Sequence, residues 1–234
     1  MIDRKNETLC KNNSAIRTMF EEGNRLRAIY GADKVYDFSL GNPSVPAPEC
    51  VKEAIIDLVN EVEPTVLHGY MSNAGFEDVR QTIAESLNHR FGTKFAAKNL
   101  IMTVGAASGL NVIFKTILNP EEEVIVFAPY FLEYGAYVRN FDGKLVEISP
   151  DTTTFQPNLE EFEQKITAKT RAVIVNTPHN PTGVVYSEET IKKLGCNSEK
   201  KQQEFGSVIY LISDEPYREL AYDGVEVPYL TKIL

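Results

Sequence analysis

The sequence predicts an α/β fold, a mostly parallel central sheet with flanking helices. From residue 100 onward, short apolar runs alternate with segments of helical periodicity, the pattern of parallel strands joined by crossover helices. Some runs are apolar throughout, as in Val208-Ile209-Tyr210-Leu211-Ile212, which suits a buried strand. A third observation sets a boundary: Gly41-Asn42-Pro43-Ser44-Val45-Pro46-Ala47-Pro48 is a stiff, proline-rich loop of the kind that crosses between domains.

Taken in order, residues 14–30 read as a helix and Val35–Leu40 as a short strand. After the proline-rich loop, 49–60 is a helix with Val51, Ile55 and Leu58 on one face. Residues 75–91 form another, with Phe76, Val79, Ile83 and Leu87. Strands are expected at Leu100–Val104, Val124–Ala128, Lys144–Ile148, Ala172–Val175 and Val208–Ile212. Helices between them are expected at 107–118, 130–140, 158–167 and 187–203. Sheets of this kind bind ligands at the carboxyl ends of their strands.

Composition excludes several functions. The chain has 234 residues, 43% of them hydrophobic, enough for a sizeable core. A net charge of -9 without a Lys/Arg block argues against nucleic acid and anionic membrane surfaces. Cys10, Cys50 and Cys196 are widely spaced and form no CxxC pair, so neither a disulfide framework nor a zinc site is expected, and a reducing cytoplasm fits. The polar start MIDRKNETLCKNN does not read as a signal peptide, and no apolar run approaches a membrane span.

Four strand ends carry the candidate chemistry. Thr103-Val104-Gly105-Ala106-Ala107-Ser108-Gly109 offers either a cradle for a phosphate at a helix N-terminus or tight helix–sheet packing; its spacing matches no nucleotide motif. In Ala128-Pro129-Tyr130-Phe131-Leu132-Glu133-Tyr134, one aromatic could stack on a planar ligand, or all three could be core. Asn176-Thr177-Pro178-His179-Asn180-Pro181-Thr182-Gly183 is a stiff loop presenting Asn180 as a donor, or a turn closed by its own Asn. His179 has no second ligand at metal spacing. In Ser213-Asp214-Glu215-Pro216-Tyr217, a carboxylate closes an apolar run and demands a cation, unless it is a surface acid in a turn.

Together, NTPHNPTG and SDEPYREL resemble the pyridoxal-phosphate-dependent aminotransferases of fold type I, class I/II, and most closely their aspartate-aminotransferase-like members. LGNPSVPAP, HGYMSNAGFEDVR and TVGAASGL resemble the same family in the same order, so the likeness runs from about residue 35 to the end. The resemblance implies that residues 1–45 contribute to a small domain and 46–234 to a large cofactor-binding domain. It implies that Asp214 faces the protonated pyridine nitrogen of pyridoxal 5'-phosphate, the cation demanded above. Tyr217 and Asn180 would reach the ring's 3-oxygen, Phe131 would cover the ring, and Ala106 and Ala107 would offer backbone N–H groups to the phosphate. Tyr70 would reach the phosphate of a partner subunit, implying a homodimer, and Gly41 and Asn180 would lie near the substrate, an amino acid or a 2-oxo acid.

The chain departs from the family pattern in lacking the Schiff-base lysine, the basic residue that follows it and helps bind phosphate, and the arginine expected to bind the substrate's α-carboxylate. No Ser-x-Ser-Lys-like segment carries the Schiff-base lysine, and Lys232, in PYLTKIL, lacks that setting, so no catalytic lysine is assigned. The large domain is therefore expected to be incomplete, with two further strands missing from between 100–104 and 172–175 and with open sheet edges. An aminotransferase inactive in this form is the leading reading. A lyase of the same fold and a non-catalytic module or fragment are the alternatives.

Overall fold

A computed structural model describes residues 15–39, 41 and 45–234. The chain divides into two compact units between Tyr70 and Met71.

The first unit holds α1 (Ala15–Tyr30), α2 (Glu49–Glu61) and the short α3 (Pro64–Leu67). Asp37 accepts hydrogen bonds from the backbone N–H and hydroxyl of Ser39 and pairs with Arg27 at 3.2 Å. Residues 35–38 are not a strand, because no second segment meets them to form a ladder among the described residues; Leu40 lies outside the description. Val51, Ile55 and Leu58, expected as a packed face, are exposed.

The second unit opens with α4 (Glu77–Phe91), whose Phe76 and Val79 are likewise exposed, and continues with α5 (Ala106–Ile117). It then alternates as expected: β1 (Glu123–Phe127), α6 (Glu133–Arg139), β2 (Lys144–Ile148), α7 (Leu159–Lys165), β3 (Thr170–Asn176), α8 (Glu188–Phe205), β4 (Tyr210–Asp214) and a terminal turn, α9 (Leu230–Ile233). The four strands are all parallel, in the order β2-β1-β3-β4.

Two departures from the expected strands matter. Residues 100–104 form no strand: Met102 donates its N–H to the Ala74 carbonyl instead, and Ile101 and Val104 are exposed. A β-pattern becomes a strand only when it pairs with a neighbour, and 100–104 pairs with none among the described residues. The last strand runs to Asp214, two residues beyond the expected end, so Ser213 and Asp214 belong to the ladder, with Asp214 opposite Asn176. Among the described residues β4 pairs on one side only, with β3.

The period-2 alternation of the central strands splits the core between the two faces of the sheet. Val124, Val126, Ala172 and Ile174 pack with Leu110 and Phe114 of α5 and Tyr134 and Val138 of α6. Ile125, Phe127, Val173 and Val175 pack on the other face with Phe162 of α7 and Ile191 and Leu194 of α8. The helices on that face are stopped locally. Asn158 caps α7 by accepting the Glu161 N–H, Ser187 caps α8 by accepting the Thr190 N–H, and Gly206 ends α8 in the left-handed region.

Candidate functional site

β3 and β4 end side by side, and the side chain of Asn176 ties their ends together. Its Nδ2 donates to the Asp214 carbonyl at 2.8 Å, and its Oδ1 accepts the Asn180 N–H at 2.7 Å. Asn176 is buried, so each of these bonds also answers the desolvation of a polar group. One amide thereby fixes the loop carrying Asn180 against the strand carrying Asp214. From there, Asn180 Nδ2 donates to the Tyr217 hydroxyl at 3.3 Å.

The Asp214 carboxylate is asymmetric. Oδ2 accepts the Tyr134 hydroxyl at 2.5 Å, while Oδ1 has no protein partner among the described residues. Burial pushes the Asp214 carboxyl above its ordinary range; the Tyr134 bond pulls it back, and the neighbouring Glu215 charge pushes it up again. Burial, then the Asp214 charge, pushes the Tyr134 phenol far up, so Tyr134 remains a donor at physiological pH. Tyr134 lies in the first turn of α6 and is 2% exposed. Phe131, just before that helix, is half-buried and meets the Tyr134 ring edge-on at 5.6 Å.

The start of α5 lies on the Tyr134 face of the sheet, since Leu110 and Phe114 pack in the same cluster as Tyr134. The helix ends shortly before β1 begins, so it runs back along the strands and its N-terminus points towards their carboxyl ends. Gly105 enters it at φ 90° and ψ 165°, a conformation essentially reserved for glycine, with the Thr103 hydroxyl donating to its carbonyl at 3.0 Å. The next N–H groups, those of Ala106 and Ala107, open the first turn, where no intrahelical acceptor exists, and both residues are exposed.

This arrangement can hold a ring nitrogen that carries a proton, at Asp214 Oδ1. It can hold a ring oxygen, at Asn180 and Tyr217, and an anion at the head of α5. A family model described as aminotransferase class I and II matches residues 33–231. The chain belongs to that family. It is 33% identical to a probable aspartate/prephenate aminotransferase of Aquifex aeolicus, across 88% of this chain and 49% of the relative. It is 37% identical to a protein of the same name from Thermus aquaticus, across 79% and 46%. Among solved structures, an amino transferase from Eubacterium rectale superposes with a TM-score of 0.95 at 47% identity, covering 100% of this chain and 59% of that one. An aspartate aminotransferase from Thermus thermophilus with maleate gives 0.85 at 31% identity, covering 100% and 58%. The chain therefore spans about half the length of the curated relatives it matches.

Class I and II aminotransferases depend in general on pyridoxal 5'-phosphate, and the residues of this aminotransferase chain fit that group. The desolvated Asp214 carboxylate has an acceptor left over, which suits a pyridinium. Gly105 leaves open space at the head of α5, where a methyl group on its Cα would meet no atom within 4 Å. Of the residues singled out in the sequence, Asp214, Asn180 and Tyr217 are joined through hydrogen bonds, and Phe131 touches Tyr134 of the same network. Ala106 and Ala107 are the first two residues of α5, which begins one residue before its expected start. Tyr70 and Gly41 lie in the first unit, both exposed. Lys232 is exposed in α9.

Sequence reasoning missed Tyr134 and Asn176. Tyr134 is one of three aromatics open to a core role, and the structure gives it both: a ring in the core and a hydroxyl on Asp214. Asn176 carries a signal, a polar residue closing the apolar run Ala172–Val175. Among the described residues no group of three or more His, Cys, Asp or Glu could hold a metal ion, and no helix is long and apolar enough to cross a membrane.

Proposed function

We propose that this chain is the cofactor-holding part of a pyridoxal-phosphate-dependent amino-acid aminotransferase. The observation that carries the proposal is the Asp214 carboxylate, desolvated at the end of β4, held on one oxygen by Tyr134 and open on the other. When bound, pyridoxal 5'-phosphate supplies an electron sink for the substrate's α-carbon. Asp214 Oδ1 keeps a proton on the pyridine nitrogen, because a carboxylate in a desolvated site is stabilised most by an adjacent cation. Asn180 and Tyr217 orient the ring through its 3-oxygen, Phe131 covers its face, and the N–H groups of Ala106 and Ala107 take the phosphate.

The substrate pair is an amino acid, with aspartate favoured by the names of the relatives, and a 2-oxo acid. The assembly is a homodimer in which Tyr70 reaches the partner's phosphate and Gly41 lies by the substrate, and the compartment is the reducing cytoplasm. The division at residue 45 between small-domain and large-domain segments belongs to the same proposal. Because the 234 residues hold no Ser-x-Ser-Lys-like segment, the chain by itself holds the cofactor without turning over.

The test is a titration of the purified chain with pyridoxal 5'-phosphate, followed by absorbance, then borohydride and intact mass. Saturable, reversible binding that is lost in Asp214→Ala, with no lysine adduct, supports the proposal. A chain that leaves the cofactor spectrum untouched, or one that shows steady transamination, refutes it.

A further inference from the structure

Residues 213–218 place their side chains in two sets. Asp214 and Tyr217 join the site network. Ser213, Glu215 and Arg218 join a second network. There the Ser213 hydroxyl donates to Glu215 Oε1 at 2.5 Å, and Arg218 Nε donates to Glu215 Oε2 at 2.6 Å. The other guanidinium nitrogens of Arg218 donate to the Val227 carbonyl at 2.7 Å and the Pro228 carbonyl at 2.8 Å. The Arg218 guanidinium carbon also lies 5.2 Å from the ring centroid of Phe91 and 5.0 Å from that of Tyr229, and these two rings stack on each other at 4.2 Å.

A side chain that is 11% exposed and uses donors from all three guanidinium nitrogens is held in one place. It joins three segments: the end of α4 at Phe91, the turn after β4, and the strap 227–229. Tyr217 is the residue immediately before it, and the Tyr217 carbonyl is itself held by the Leu220 N–H at 2.8 Å.

We propose that Arg218, through Glu215 and the 227–228 carbonyls, is a positioning residue that fixes the Tyr217 hydroxyl beside Asn180, and so sets the contact to the 3-oxygen of a bound pyridoxal-type ring. This inference rests on the cofactor reading above. Arg218 acts through the backbone of the turn and not by touching the ring. Its removal therefore loosens the turn that carries Tyr217, while the effect of the unpaired Glu215 charge on Asp214 falls on both probes alike. Asp214, anchored in the β3–β4 ladder and by Asn176 and Tyr134, keeps its place.

The test compares two non-covalent probes on the purified chain: 4'-deoxypyridoxine 5'-phosphate and its analogue lacking the 3-hydroxyl. Dissociation constants are measured by fluorescence for the parent chain, Arg218→Met, Tyr217→Phe and the double variant. Arg218→Met should weaken the first probe about tenfold, the order expected for one lost hydrogen bond in a desolvated site. It should leave the 3-deoxy analogue within about twofold, a split that general loosening of the fold would not produce. Added to Tyr217→Phe, it should cost little more. Equal weakening of both probes, or full additivity with Tyr217→Phe, overturns the positioning role while leaving the cofactor reading intact. Failure of the parent chain to bind either probe overturns the cofactor reading, and the inference with it.

Discussion

Replacing Tyr134 with Phe isolates one bond. The ring stays in place against Phe131, and only the hydroxyl that donates to Asp214 Oδ2 at 2.5 Å is lost. A hydrogen bond to a charged acceptor contributes about 1.5–3 kcal/mol net, against about 1 kcal/mol for a neutral pair. At neutral pH the loss should therefore be about 2 kcal/mol, or about 4–8 °C in thermal midpoint for a domain of this size. The pH dependence follows from the direction of the Asp214 shift. Its folded-state pKa is raised above the unfolded value of 3.8, so its favourable contribution is complete below 3.8 and is lost as pH rises through the folded value. The Tyr134 bond pulls that folded value down. Without it the value rises further, and the decline extends to higher pH. The gap between Tyr134→Phe and the parent chain should then widen from about pH 4.5 to about pH 8. Circular-dichroism melts of both proteins at the two pH values measure it. A gap that stays constant or narrows with rising pH would refute the argument that Tyr134 bonds an ionised Asp214.

Other outcomes follow from the same geometry. Asp214→Asn keeps an acceptor for Tyr134 but removes a desolvated charge, so the cofactor-free chain should melt no lower than the parent at neutral pH, while pyridoxal 5'-phosphate binding falls at least about tenfold; calorimetry and fluorescence titration check the two halves. Gly105→Ala meets no atom, yet forces an alanine to φ 90°, so it should destabilise by about 1–3 kcal/mol in urea unfolding and weaken the binding of inorganic phosphate at the head of α5. His179 is buried, with Nδ1 on the Thr182 hydroxyl at 2.8 Å, and burial holds its folded-state pKa below 6.5. Its contribution is present above pH 6.5 and is lost as pH falls through the folded value, so His179→Gln should flatten the stability profile of the parent chain in that acidic window.

How much is legible in the sequence varies with the range of the interaction. The helices at 15–30, 49–61 and 188–205 appear within two residues of their expected bounds, because periodicity, caps and closing glycines lie within the segments themselves. The strand at 100–104 does not form despite a suitable pattern, since a strand exists only by pairing with another one. Asp214 is legible because a carboxylate closing an apolar run is costly in any fold and so demands a partner. Tyr134 is not, because its partner lies 80 positions away. The role of Arg218 is not legible either: its bonds to Val227 and Pro228 exist only once the turn after β4 has folded back on itself.

By itself, then, the sequence determined the class of the fold, the family, and which residue types stand at the strand ends, because each of these follows from local pattern. The tertiary structure alone decided that β4 lies beside β3, that Asn176 locks the two strand ends together, and that Tyr134 occupies one oxygen of Asp214 and leaves the other open. Those are relations between segments far apart in the chain, and their free energy comes from packing and desolvation that no single segment has before the sheet is assembled.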